Sequence, residues 1–366
     1  MQLTVCGFGG AGGRIADGLV AADADRDRSF VVDSVALDTD QRNLSALDMI
    51  PDEQRHLYGV IEAEGEGVDG DRSVGAAAAE SAATEVVNEI DEVVPSQSEA
   101  ILCCVGLAGG SGATVLARVV EELARVHGVP VYALGVLPAL PDNTDESQRL
   151  AGNALRALKN LTSATDSVLL FDNALWAKSG ESATEPAVWD RLNETLIERV
   201  AALFGAGEAD HGREIAEQVI DASEVRATFE GGGVATIGYA SQEIDRPTES
   251  RFGLGLLNEA GDIDETTAIK AIESTSRRAV RGKLTVEVEL DSVSRGLLIV
   301  GGPPEWLNRQ AVADARSWLA QETGSTKLRG GDMPTPEHDE ITMIALLTGV
   351  TGCPRINELR AAAGLE

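Results

Sequence analysis

The chain of 366 residues carries 60 acidic against 30 basic side chains, a formal net charge of -30, with the acids dispersed along its whole length. Such a field repels nucleic-acid phosphates and anionic lipid, so neither is expected as a direct partner. The length favours two domains, and aromatics at 4% beside 39 glycines predict a core of small and aliphatic side chains.

Only five of the bases are lysines: Lys159, Lys178, Lys270, Lys283 and Lys327. Acid in place of surface lysine keeps a chain hydrated and separate in concentrated salt, where repulsion is screened within about 3 Å at 1 M. The composition therefore reads as that of a salt-loving microbe. Its melting temperature should rise in molar KCl, and an unfolding curve indifferent to KCl would refute the reading. Cys6, Cys103, Cys104 and Cys353 form no CxxC pair, and three fall in predicted strands, so they read as core residues of a reducing compartment. The start of the chain has no basic n-region, and its longest apolar stretch, 128–140, is too short and too rich in Gly and Pro to span a bilayer. The expected location is cytoplasmic.

In chain order, short β-branched runs at 3–6, 30–37, 100–105, 131–137 and 168–171 alternate with helical patterns at 12–22, 74–94, 113–127 and 146–161. This alternation predicts a mostly parallel sheet covered by helices on both faces. One long amphipathic helix follows at 186–204, with Pro186 in its first turn and Val188, Leu192, Leu196, Val200 and Leu203 on one stripe. Beyond it, strands at 234–239, 284–290, 297–300 and 341–347 and helices at 266–281 and 311–321 predict a smaller α/β unit. Gly231-Gly232-Gly233 opens that unit, and a short helix near 357–363 closes the chain.

The turn Gly7-Phe8-Gly9-Gly10-Ala11-Gly12-Gly13 joins the first strand to the first helix. Glycines let the backbone approach a phosphate, and a helix N-terminus offers free N–H groups and the positive end of a dipole. Alone, the turn satisfies the GxGxxG dinucleotide pattern, with Asp38 ending the second strand where a ribose-binding acid would sit; a tight packing turn is the bland alternative. A second turn, Gly106-Leu107-Ala108-Gly109-Gly110-Ser111-Gly112, leads from the strand at 100–105 straight into another helix. Two such turns on neighbouring strands would set two helix N-termini around one polyphosphate, whereas a dinucleotide fold needs only the first. No G-x-x-x-x-G-K-[ST] occurs, which sets a P-loop NTPase aside. Ser111 lies in a near miss of a nucleophile elbow, but Ala113 takes the place of its last glycine, so a hydrolase using His338 ranks third.

Asp221-Ala222-Ser223-Glu224 sets two carboxylates three residues apart on one face of a helical turn, able to hold a water. A capping box with Asp221 as N-cap is the commoner source of that pattern. His56, His127, His211 and His338 show no metal-ligand spacing. Arg277, Arg278, Arg281 and Lys283 gather at a helix C-terminus, where the dipole accounts for them and a contact to an acidic neighbour is the sharper reading.

Over nearly the whole chain the order of these loops resembles the tubulin/FtsZ superfamily. Residues 106–112 are similar to its G-G-G-T-G-[ST]-G signature, and Asp221 and Glu224 to the carboxylates of its N-x-D-x-x-[DE] loop. Asp172-Asn173-x-x-Trp176, Phe204-Gly205-Ala206-Gly207-Glu208, Gly301-Gly302-Pro303-Pro304-Glu305-x-Leu307-Asn308 and Arg329-Gly330-Gly331-Asp332 look most like the archaeal CetZ branch, which is associated with salt-loving archaea. The resemblance implies GTP and GDP as ligands, with Mg2+ near Asp40. Phosphate contacts would come from Gly9, Gly10, Ala11, Gly12 and Gly13 and from Gly106, Leu107, Ala108, Gly109, Gly110, Ser111 and Gly112. Arg14 would be a phosphate or partner contact, or merely a solvated helix residue. Asp38-Thr39-Asp40 would form the second loop, and Gly67 would lie in the loop that closes over the terminal phosphate. Glu146 would meet the ribose, Asn173 would lie in the fifth nucleotide loop, and Asn193 would read the guanine edge. Asp221 and Glu224 would be presented to the next subunit's nucleotide, Glu224 orienting the attacking water and Asp221 supporting the metal shell or the water. Leu107 and Ala108 replace two signature glycines, Gly109 replaces its threonine, and Val219 replaces the loop's Asn. Binding is therefore better supported than rate.

The expectation is an α/β protein with a Rossmann-like GTPase domain on a mostly parallel sheet over 1–185 and a long central helix with its following loop over 186–224. A smaller second α/β domain over 225–350 and a terminal helix with a short tail over 351–366 complete it. The chain is expected to polymerise head to tail, hydrolyse GTP at the subunit interface and act in cell-shape control, without nucleic-acid or direct membrane partners. A NAD-type Rossmann oxidoreductase and a GTP-binding filament protein with weak hydrolysis are the alternatives.

Overall fold

The computed structural model describes residues 1–24, 29–178, 181, 185–206, 220–244 and 265–365. The alternating pattern of the first half yields β1 (Leu3–Phe8), α1 (Gly9–Ala24), β2 (Val31–Asp38), α2 (Gln41–Ser45), β3 (Arg55–Leu57), α3 (Val60–Ala63) and α4 (Arg72–Glu92). It continues through β4 (Ala100–Gly106), α5 (Gly112–His127), β5 (Val131–Leu137), α6 (Thr144–Ala164) and β6 (Ser167–Asp172). Next come α7 (Asn173–Trp176), the long α8 (Pro186–Ala206), α9 (Ala222–Phe229), β7 (Val234–Glu243) and α10 (Glu265–Arg281). The rest is β8 (Arg295–Gly302), α11 (Arg309–Thr323), β9 (Leu328–Pro334), β10 (Glu340–Val350) and α12 (Pro354–Ala362).

Among the described residues the strands form one ten-stranded sheet, ordered β3-β2-β1-β4-β5-β6-β7-β10-β8-β9. Every pairing in it is parallel except the two that β10 makes, with β7 and β8. Parallel strands buried on both faces need apolar side chains at every position. In β4, Ile101, Cys103 and Val105 enter the core under α4, α5 and α6, while Leu102 and Cys104 enter the one under α1 and α8. All four cysteines are free and buried. No helix of the described residues is long and apolar enough to cross a membrane.

The predicted stripe of α8 is buried throughout: Val188, Leu192, Leu196, Val200 and Leu203 are 7% exposed or less. This helix of 21 residues spans about 30 Å and runs against the direction of β1. Near its start, Trp189 lies 5.8 Å under the Arg14 guanidinium of α1. Near its end, the Phe204 carbonyl accepts a hydrogen bond from the Met1 ammonium at 3.1 Å.

The strand expected at 284–290 does not form. Its apolar alternation is real, since Leu284 and Val286 are buried, but the backbone serves a different purpose. β6 and β7 pair only at Val168–Val234 and Leu169–Ala235 and then diverge. Into that fork the segment inserts Thr285, whose N–H donates to the Ile237 carbonyl at 2.9 Å and whose carbonyl accepts from Asp172 N–H at 2.9 Å. Leu328–Pro334 is a strand that its glycines concealed: Gly330 and Gly331 are poor strand formers, tolerated at the sheet edge.

Candidate functional site

β1 and β4 are neighbours in register, Phe8 opposite Val105, so the turns that follow them emerge at one level of the sheet. They touch through atoms that only glycine leaves free. A Cβ at Gly9, whose φ is +70°, would lie 3.4 Å from both Cα and N of Gly112, while one at Gly112 would run into the Phe8 carbonyl oxygen. A Cβ at Gly12 would strike the Cys104 carbonyl, and one at Gly106 would lie 2.9 Å from the Ala11 Cβ. The N-termini of α1 and α5 thus converge, with the unpaired N–H groups and positive dipole ends that anions seek. Ser111 caps α5 by backbone geometry alone, without a side-chain bond to the helix.

The other predicted loops close on the same place. Gly10 abuts Asn43, since a Cβ there would lie 2.5 Å from its amide nitrogen. Asn43 in turn donates to Asp38 Oδ2 at 2.8 Å. Asp38 is 3% exposed and also accepts from the backbone N–H of Thr39 at 2.7 Å and Asp40 at 3.3 Å. Burial raises its pKa, with these hydrogen bonds opposing. Its role here is to hold the bend. Asp40 instead caps α2, accepting from Arg42 N–H at 2.9 Å, and pairs with the Arg42 guanidinium at 2.8 Å, which holds its carboxyl below the usual range. Gly67, at φ +84°, passes the Asp40 Cβ at 3.3 Å from its own would-be Cβ. Gly75 and Gly110 approach so closely that a side chain on Gly75 would strike the Gly110 carbonyl.

Asn153 of α6 ties two of these loops together, and no sequence pattern marked it. It is 6% exposed, and its amide donates to the Gly70 and Ala108 carbonyls at 3.0 Å each. Glu146, in the first turn of α6, is exposed beyond the Asn143 cap. Asn173 opens α7 behind its cap Asp172. Asn193 lies one turn from Trp189 and one from Ile197, both of which face α1, so it belongs to the same stripe.

Asp221 and Glu224 lie elsewhere. Asp221 caps α9 as the bland reading expected, accepting from Ser223 N–H at 2.8 Å, Ser223 hydroxyl at 2.6 Å and Glu224 N–H at 3.2 Å. Glu224 pairs with Arg329 at 2.6 Å. The helix rests at the beginnings of β5 and β6, where Arg226 and Glu230 share a cavity with Pro130, Tyr132 and Asp166. The glycine turns stand at the opposite, carboxyl end of the strands, so one chain does not bring the two sets together. Val219, Gly207, Glu208 and His211 lie outside the described residues.

Beside Arg329 on β9, Asp332 accepts no hydrogen bond at its buried Oδ1 from the described residues. Burial lifts its pKa from 3.8 to about 6, against the pull of Arg309. A folded pKa above the unfolded one means that the contribution of this carboxyl is complete below pH 3.8 and lost as the pH rises through about 6. Asp332→Asn should therefore raise the melting temperature at pH 8 and leave it unchanged at pH 4. An equal change at both would contradict the assignment.

A metal fits only in company. Among the described residues no group of three His, Cys, Asp or Glu is arranged to hold one, but Mg2+ commonly takes one or two carboxylates together with phosphate oxygens and waters, and Asp40 could supply one on exchanging its Arg42 partner. Their glycine cradle, which side chains would fill, fits a polyphosphate.

Residues 2–181 match the family model of the tubulin/FtsZ family GTPase domain, and residues 180–364 match that of the C-terminal domain of tubulin-like CetZ. The chain is 38% identical to the tubulin-like protein CetZ5 of Haloferax volcanii over 366 residues, covering 99% of this chain and 91% of that one. It is also 38% identical to CetZ1 of the same organism over 370 residues, covering 99% and 92%. Its fold is similar to that of the GDP-bound CetZ1 monomer, with a TM-score of 0.84 at 34% identity over 99% of this chain and 98% of the other. The GTPγS-bound protofilament of CetZ2, also from Haloferax volcanii, gives 0.85 at 34% identity over 100% and 98%. On these matches, which run from one end of the sequence to the other, the chain belongs to the tubulin/FtsZ family, in its CetZ branch.

Proposed function

We infer that this protein binds GTP and GDP, assembles head to tail into protofilaments, and hydrolyses GTP where two subunits meet, as a cytoplasmic element of cell-shape control. The observation that carries the reading is the abutment of two glycine turns on neighbouring parallel strands, at the opposite end of the sheet from Asp221 and Glu224. A site split between opposite ends of one chain is completed by stacking a second copy, and such a heterologous contact repeats without closing. The relatives bound to GDP and GTPγS, one of them a protofilament, support it.

In this reading Gly9, Gly10, Ala11, Gly12 and Gly13 and residues 106–112 offer backbone N–H groups to the phosphates, and Gly67 closes over them. Arg14, bound to Trp189 by its cation–π contact, guards the rim of that cradle. Asn193 presents its amide to the guanine edge, Glu146 accepts from the ribose, and Asn173 lines the same pocket. Mg2+, held through Asp40 and phosphate oxygens, would neutralise charge on the phosphates. Glu224 of the stacked subunit orients a water, and its carboxylate is already fixed in direction by Arg329; Asp221 supports that water while holding the start of α9. Phosphoryl transfer asks mainly for positioning and charge. The chain divides in function at about residue 186, the nucleotide on one side and the partner-directed carboxylates on the other.

Phosphate release from GTP, measured against protein concentration in high KCl with pelleting as a second readout, tests the scheme. Activity should rise more steeply than concentration and appear with the pellet. Activity linear in concentration would defeat the shared site. Tight nicotinamide binding would favour the oxidoreductase.

A further inference from the structure

A groove of about 1060 Å3 opens between the start of α4, the outer side of α6 and the end of α12. Arg72, Arg149, Arg156, Lys159 and Arg360 line it. None of these five forms an ion pair with a carboxylate of the described residues, whereas Arg42, Arg281, Arg295, Arg329 and Arg355 all do. Among the described residues other cations, Arg14, Arg226 and Arg316 among them, also lack such a pair, but only here do five share one concavity, in a chain with 60 acids for 30 bases. Two acids share the lining, Asp69 and Asp71. Asp71 is engaged in capping α4, accepting from Ser73 N–H at 2.8 Å and Ser73 hydroxyl at 2.6 Å. Five cations less two acids still leave an excess of three positive charges.

The convergence works against the chain's own stability. Arg72 is half-buried, and its pKa is lowered mainly by burial and further by the neighbouring positive charge of Arg156. Four of the five are arginines, whose planar forks match phosphate oxygens in pairs. The volume lies at the upper end for small-ligand sites. The remaining surface is strongly acidic and repels an extended polyanion such as nucleic acid or a lipid face, which leaves a compact one.

We propose that this groove, lined by Arg72, Arg156, Lys159 and Arg360, is a second ligand site that takes a small molecule bearing two or more phosphate groups. Through Gly70 and Asp71 it borders the loop that packs on Gly110, but its four cations are none of the residues assigned to the phosphates of GTP.

Calorimetric titration of the full chain with inorganic tripolyphosphate at 0.2 M KCl, run with and without saturating GDP, tests the proposal. The expected result is one tripolyphosphate site per chain that GDP does not displace. It should weaken at least about tenfold in Arg156→Glu/Lys159→Glu, with GDP affinity unchanged within about twofold, as expected from losing two charge-assisted contacts. Both side chains are exposed, and Arg156→Ala/Lys159→Ala serves as a milder pair should the reversal unfold the chain. No tripolyphosphate binding under saturating GDP, or equal binding by both double variants and the parent, would overturn it. Failure of GDP to bind while the tripolyphosphate heat remains would count against the GTP reading alone.

Discussion

Glu224→Ala is expected to bind GTP as the parent does and to pellet with it, while its phosphate release falls about 100- to 1000-fold, in the range of lost general-base or water-orienting groups. The carboxylate stands at the far end of the sheet from its own glycine turns, so under the proposed scheme it would serve another subunit's phosphates. Glu224→Gln should lose nearly as much, because in that scheme the charge would orient the water. Asp221→Ala removes an N-cap as well, which costs about 1 kcal/mol, so Asp221→Ser, which still caps, is the cleaner probe of the second carboxylate. Mixing Glu224→Ala with Asn193→Ala should restore part of the activity, since an intact nucleotide pocket then meets an intact carboxylate at some interfaces. A mixture no more active than its components would contradict the split site, and full activity in Glu224→Ala alone would end it.

Gly12→Ala should be among the most damaging single methyl additions in the chain. The new Cβ, on α1, would meet the Cys104 carbonyl, with the carbonyl carbon at 2.9 Å, and that carbonyl belongs to a central strand of a parallel sheet, which cannot yield as a side chain could. Overpacking of this kind costs about 3 kcal/mol, a fall in melting temperature of about 4 °C for a chain of this size. Nucleotide carried through purification should vanish with it, because α1 can no longer seat beside α5. Gly152→Ala, inside α6 with nothing within 4 Å of its would-be Cβ, is the matched control and should stabilise by about 0.5–1 kcal/mol. Equal melting temperatures for the two variants would show that the turn packing carries no energy.

What the sequence disclosed followed from residues with few alternatives. Glycine is costly inside regular structure, so Gly9, Gly12, Gly106 and Gly112 at strand ends pointed to close backbone contact, and contact is what they make. The stripe of α8 was legible because helical spacing leaves one buried face. Asn43 and Asn153 were not, since a polar residue in a helix looks solvated until its partners arrive from 5 and from 83 and 45 positions away. The cations of the groove come from three helices, Arg72 and Arg360 from opposite ends of the chain, and only the fold brings them together. At 284–290 the apolar alternation correctly announced burial and misled about hydrogen bonding, because a wedge and a strand hide their side chains alike.

That wedge also governs how the sheet bears load. Two rungs join β6 to β7, whereas nine residue pairs join β7 to β10. In backbone pairing alone, the sheet is two well-laddered parts on a short seam, with Thr285 bonded to both sides of it. Among backbone ladders, a pull along the sheet that parts these strands would meet those two rungs and the Thr285 bonds before the nine-pair ladder. Force spectroscopy should therefore find the first rupture at the seam, with the glycine turns on one part still closed.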